Sequence, residues 1–134
     1  MSVKPIPSDH PVLPRHPKTG IMLVNLGTPD GTDYRSMRRY LDQFLSDQRV
    51  VEAPRWLWWL ILNGIILNTR PQKSGKAYDR VWLKDEPDGS PLRKFTRLQA
   101  EYVTDELKDA VAGDRACVTW AMRYGNPSIP LRLQ

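Results

Sequence analysis

Ile21–Asp30 reads IMLVNLGTPD and Ala121–Ser128 reads AMRYGNPS, and between them these two stretches set the fold class. The first holds a short apolar run, Ile21–Leu26, closed by a polar turn, which is the pattern of a strand buried on both faces. The second is the end of another strand, placed at Arg115–Met122, followed by a Gly-Asn-Pro turn. Everything between them is helical in pattern. Strand, long helical excursion, strand predicts a parallel α/β sheet with a right-handed crossover.

The helical signals are specific. Thr32 or Asp33 can cap a helix whose stripe is Tyr34, Met37, Leu41, Phe44 and Leu45. Pro54 starts a second one over Trp56–Leu67, and a third is placed at Ser74–Trp82. Ser90 and Pro91 start a fourth, because serine caps and proline lacks only an N–H that has no partner there. Its inner face is read as Leu92, Phe95, Leu98, Tyr102 and Leu107, with Gly113 as its stop. Ser128 then caps a further helix, whose first turns are Ile129–Leu133.

Composition bounds the rest. The chain has 134 residues, 40% hydrophobic and 26% charged, so it makes at most one domain with a real core. Its +5 net charge favours anionic partners, but basic and acidic residues are interleaved and no nucleic-acid signature is present, so nucleic acid is excluded as a partner. The single cysteine, Cys117, rules out an internal disulfide and is expected to be buried and inert in a reducing compartment. Residues 1–20, with Pro5, Pro7, Pro11, Pro14 and Pro17, read as a flexible arm without a secretory signal, and His10 and His16 within it as solvated. One turn glycine, followed by Pro29, makes a phosphate cradle a poor fit, which argues against a flavodoxin-like nucleotide domain. The run WLWWLILNGIIL at Trp56–Leu67 is too short to span a bilayer. Its clustered tryptophans cannot all point inward on a 3.6-residue period.

Four segments occur in order: LVNLGTP, FLSDQRVVEAPRWLWW, NTRPQKSGKAYDRVW and AMRYGNPS. Together they resemble the first part of the ferrochelatases, of the bacterial protoporphyrin type, which insert ferrous iron into protoporphyrin IX to make haem. The resemblance implies a Rossmann-like chelatase fold, a parallel sheet flanked by helices, with residues 21–134 forming the N-terminal part of the first of two such domains. The sheet edges then lack neighbours, so the isolated polypeptide is expected to be weakly folded or prone to aggregate.

The same resemblance places Leu26, Arg70, Lys73, Tyr78, Ser90, Arg123 and Tyr124 around the porphyrin. Arg70, Lys73 and Ser90 match positions near the propionates or pocket mouth, and arginine can grip a carboxylate with two parallel bonds. Leu26 presses on one ring face from the carboxyl end of the first strand, where ligands of open α/β sheets gather. Arg123 and Tyr124 orient the ring or steer iron. Trp56, Trp58 and Trp59 form a greasy lip that suits peripheral contact with a membrane surface. Asn25, Gly27 and Thr28 are assigned to holding the turn. The catalytic His and Glu of the family match nothing in this chain and are expected downstream, in a C-terminal half that acts as its partner. No cofactor is required, no resident metal is expected, and the localisation implied is cytoplasmic. The alternative is a non-catalytic porphyrin- or haem-binding module that kept the lip and lost metal insertion.

Overall fold

The structure is a computed structural model and describes residues 18–110 and 115–134. Two parallel strands, β1 (Thr19–Thr28) and β2 (Ala116–Gly125), pair in register from Thr19 against Ala116 to Thr28 against Gly125. Helices α1 (Tyr34–Leu45), α2 (Arg55–Ile61), α3 (Leu67–Asp79) and α4 (Pro91–Ala110) fill the crossover, and one further turn, α5 (Ile129–Arg132), follows β2. The α/β class, parallel pairing and helical crossover are those expected. His10, His16, Gly113 and most of the arm lie outside the described residues. Lys18–Gly20, assigned to that arm, are described, and Thr19 and Gly20 already belong to β1.

Local chemistry explains the helix ends. The Asp33 carboxylate accepts from the Arg35 and Ser36 amides (2.9 and 3.0 Å) and so caps α1. Bonding to Ser36, through its side chain and its amide, holds that carboxyl below its ordinary range. Ser128 caps α5 by accepting from the Leu131 amide.

The middle helices differ from expectation. Instead of two helices separated by a break, the chain stays helical from Arg55 to Asp79, with a π-helical turn at Leu62–Ile66. Pro71 lies inside α3. A proline there removes the N–H that would bond the carbonyl four residues back, which is that of Leu67. The Tyr34 hydroxyl takes its place, donating to the Leu67 carbonyl at 3.1 Å from the start of α1. A tertiary contact thus repairs the break that the proline creates, and the helix runs on. Gly75 then lets α3 approach α1, since a Cβ there would overlap the Thr32 carbonyl.

Three expectations about burial are corrected. β1 is covered on one face only: Val24 and Leu26 are 50% and 52% exposed, while Asn25 on the opposite face donates to Thr96 of α4 at 3.1 Å. That bond also sets the roll of α4. Its buried line is Thr96 and Ala100, and Phe95 and Tyr102 face outward at 60% and 69% exposure. Small side chains let the helix come close to the strand, and a half-buried amide needs a partner more than an aromatic ring needs cover. Cys117 is exposed, because it lies near the start of β2 beside Gly20, away from the helices' main packing. The core itself is compact: Met37 and Tyr40 of α1, Leu62, Leu67, Ala100, and Ala121, Met122 and Tyr124 of β2.

Candidate functional site

The carboxyl ends of β1 and β2 converge with the far end of α1. Gly27 adopts φ 132°, and a Cβ on it would overlap the Tyr124 carbonyl, so only glycine lets the strands meet there. The Gly27 carbonyl accepts from the Tyr40 hydroxyl at 3.3 Å, and the Gly125 amide donates to Gln43 at 2.9 Å. Burial pushes the Tyr40 phenol well above its ordinary range, with the neighbouring phenols of Tyr78 and Tyr124 adding to the shift. Asn25 holds its part of the turn by accepting from the Leu26 amide at 2.8 Å. Thr28 does not serve the turn's own backbone as expected: its hydroxyl pairs with that of Ser90 at 2.8 Å, tying β1 to the start of α4.

Arg123 and Tyr124 lie side by side at this end. The Arg123 Nε donates to the Tyr124 hydroxyl at 2.9 Å, and that hydroxyl donates to Asp47 Oδ2 at 2.7 Å. The Arg123 Nη2 donates to the same oxygen at 2.8 Å. Charge-assisted bonds from Arg123, then the Arg49 amide and Tyr124, hold the Asp47 carboxyl far below the usual range. The ring of Tyr124 is buried and packs edge-on against Phe44 at 5.2 Å. An aromatic row continues from Phe44 to Tyr40 at 6.0 Å and from Tyr40 to Tyr78 at 6.4 Å.

A second group surrounds α1, α2 and α3. Arg70 and Ser74 edge a cavity of about 310 Å³ whose apolar walls are Leu41, Phe44, Leu45, Trp58 and Ile66. Trp58 separates it from a neighbouring hollow lined by Val51, Arg55, Trp56 and Trp59. The Trp58 indole N–H donates to the Leu45 carbonyl at 2.7 Å, so this ring is fixed in the wall. Trp56 and Trp59 stand free at 71% and 63% exposure, with Leu57, Leu60 and Ile65 also exposed beside them. Among the described residues no helix is long and apolar enough to cross a membrane, and no group of His, Cys, Asp and Glu could hold a metal ion.

The residues singled out from the sequence are therefore not all in one place. Phe44 belongs both to the Arg70 cavity and to the Tyr124 packing, so the two groups are joined through that ring. Lys73 is exposed one helical turn beyond Arg70, and Leu26 is exposed on β1. Tyr78 packs on Tyr40, and Ser90 is buried against Thr28; neither lines the Arg70 cavity. Sequence reasoning missed Asp47. Its signal was its place in the FLSD segment, but the partners that give it meaning are 76 and 77 positions away.

The family model described as Ferrochelatase matches residues 18–134. A ferrochelatase of Rhizobium johnstonii is 57% identical over 127 residues, covering 95% of this chain and 36% of the relative. One of Rhizobium etli is 55% identical over 128 residues, covering 96% of this chain and 36% of the relative. One of Brucella anthropi is 58% identical over 113 residues, covering 84% and 31%. The chain thus spans about a third of the length of the curated relatives it matches.

Proposed function

The chain belongs to the ferrochelatase family, and from that premise we propose that it forms part of the porphyrin pocket of an enzyme that inserts ferrous iron into protoporphyrin IX, the last step of haem formation. The observation that carries this reading is the cavity edged by Arg70. Its walls are aliphatic and aromatic, as a flat apolar macrocycle requires, and one guanidinium stands at the rim for a propionate. Lys73, a turn further along α3, supplies a second cation at the mouth. Arg123 and Tyr124 act at the carboxyl ends of the strands, where ligands of open α/β sheets collect, and Leu26 lies against the macrocycle from β1. Tyr78 and Ser90 support the pocket from behind, through Tyr40 and Thr28.

Proton removal from the pyrrole nitrogens needs a base that titrates near neutrality. No histidine occurs between residues 18 and 134, so that base, with its acidic partner, belongs to the part of the relatives' length that this chain does not span. Function therefore requires the full-length protein, and the test uses it. Protoporphyrin IX is titrated against tryptophan fluorescence, and iron insertion is followed by loss of porphyrin fluorescence. Arg70→Ala is expected to weaken porphyrin binding roughly tenfold, since a charge-assisted bond contributes about 1.5–3 kcal/mol, while Arg70→Lys recovers part of it. Unchanged affinity in Arg70→Ala refutes the assignment of the rim. Binding without insertion favours the porphyrin-carrier alternative.

The exposed Trp56 and Trp59 serve as a membrane-resting lip through which a poorly soluble substrate enters, since tryptophan favours the interfacial layer. Co-sedimentation with anionic vesicles should fall when both become Ala. Trp58 is the internal control, because its ring is committed to the Leu45 carbonyl.

A further inference from the structure

Asp47 lies just beyond the carboxyl end of α1, where Ser46 closes the helix by donating its amide to the Asp42 carbonyl. A short turn fixes it there. Its own carbonyl accepts from the Val50 and Val51 amides at 3.0 and 3.2 Å, and Oδ1 accepts from the Arg49 amide at 2.8 Å. The other oxygen, Oδ2, receives both Arg123 and Tyr124. Arg123 is thus pinned at two points, Nε on the Tyr124 hydroxyl and Nη2 on Asp47, while Tyr124 is held by its burial and by Phe44. A guanidinium has five N–H groups. Two are spent here, and Nη1 has no partner among the described residues. Its side chain is 41% exposed, on a groove shared with Asp42, Gln43 and Arg49.

We propose that Asp47 is a positioning residue for metal insertion: it aims the unspent edge of Arg123 into the groove and cancels the guanidinium charge where a ferrous ion must pass. This rests on the porphyrin-metallation reading above. An isolated arginine at that spot would repel a divalent cation, and clefts concentrate such fields. Paired with a carboxylate whose ionised form Arg123 and Tyr124 both stabilise, it can donate hydrogen bonds to an anionic ligand without opposing the metal.

The experiment uses the full-length protein and begins with the wild type. If that protein neither binds protoporphyrin IX nor consumes ferrous iron, the metallation reading fails and the role of Asp47 falls with it, before any variant is made. With an active wild type, Asp47→Asn should raise the KM for ferrous iron roughly fivefold or more. Porphyrin Kd by fluorescence should stay within about twofold, because the charge change bears far more on a dication than on the apolar ring. The defect should shrink as ionic strength rises, since salt screens exposed charges. Asp47→Glu should restore the iron KM, and Arg123→Leu placed in the Asp47→Asn background should bring it back toward the wild-type value, because it removes the uncancelled cation. The inference is overturned if Asp47→Asn moves porphyrin Kd and iron KM equally. It is also overturned if Arg123→Leu leaves the Asp47→Asn rise in iron KM unrelieved.

Discussion

Pro71 interrupts α3, and the Tyr34 hydroxyl replaces the lost donor to the Leu67 carbonyl at 3.1 Å. Leu67 is fully buried, so its carbonyl has no other recourse. Tyr34→Phe removes the donor and keeps the ring. A hydrogen bond contributes about 1 kcal/mol net, and a buried acceptor left unsatisfied costs about 1–3 kcal/mol; the variant should therefore lose about 2 kcal/mol. Pro71→Ala returns an N–H at the position four residues on from Leu67, where the helix can use it. In that background the carbonyl stays bonded without Tyr34, and Tyr34→Phe should cost about 0.5 kcal/mol or less. The coupling, about 1.5 kcal/mol, is what a double-mutant cycle reads, and the change in helix propensity at residue 71 cancels from it. Urea unfolding of the full-length protein, followed by tryptophan fluorescence with unchanged m-values, gives the four free energies. Equal costs of Tyr34→Phe in both backgrounds, within about 0.3 kcal/mol, would refute the repair.

Gly27→Ala should be among the most damaging single changes in the chain. It forces a Cβ onto the Tyr124 carbonyl in a conformation L-residues rarely adopt, costing about 3 kcal/mol or more and lowering the melting temperature by several degrees. Asp47 gives a pH signature with a fixed sign. Its carboxyl titrates lower when folded than unfolded, so its contribution to stability is present in full above the ordinary carboxylate value of about 3.9. That contribution is lost as acid carries the pH down through the folded value. The gap in urea midpoint between wild type and Asp47→Asn should be constant between pH 5 and pH 7, on the order of these limits, and close on further acidification. The 134-residue polypeptide alone should show helical far-UV but weak near-UV circular dichroism and should self-associate, because β1 and β2 have no further strand beside them among the described residues and Val24, Leu26, Phe95 and Tyr102 are exposed. A cooperative monomer by chromatography and thermal melting would contradict that.

Sequence pattern was most reliable where a rule is local. Asp33 caps α1, Pro54 precedes α2, and Ser128 caps α5, each as its side chain dictates. It was least reliable where a distant group decides. The stretch between Leu67 and Ser74 reads as a break from sequence, and only Tyr34, 33 positions upstream of Leu67, makes Pro71 a passable residue there. The aromatic stripe Phe95 and Tyr102 reads as an inner face by hydrophobicity, yet Asn25 needs Thr96, and one hydrogen bond turns the helix. Cys117 reads as buried because apolar residues flank it. In a sheet of two strands, though, flanking residues say little about cover.

The site divides by a different criterion, namely which polar groups remain unspent. Resemblance to a family assigns ligand contacts by motif, so Ser90 and Arg70 look equivalent in the sequence. In three dimensions they are not. The Ser90 hydroxyl is bonded to Thr28 inside the protein, and any bond to a ligand would have to compete with that one. Arg70 stands at a cavity rim, and its guanidinium has no bond among the described residues. Arg123 falls between: two of its donors hold Tyr124 and Asp47, and the remainder are exposed. A guanidinium fixed by part of its hydrogen-bonding edge loses less freedom when it meets a ligand than a free one does, so its remaining donors bind at lower entropic cost. On the proposed porphyrin reading, Arg70 would supply charge at the entrance, Arg123 direction at the strand ends, and Asp47 would separate those two roles.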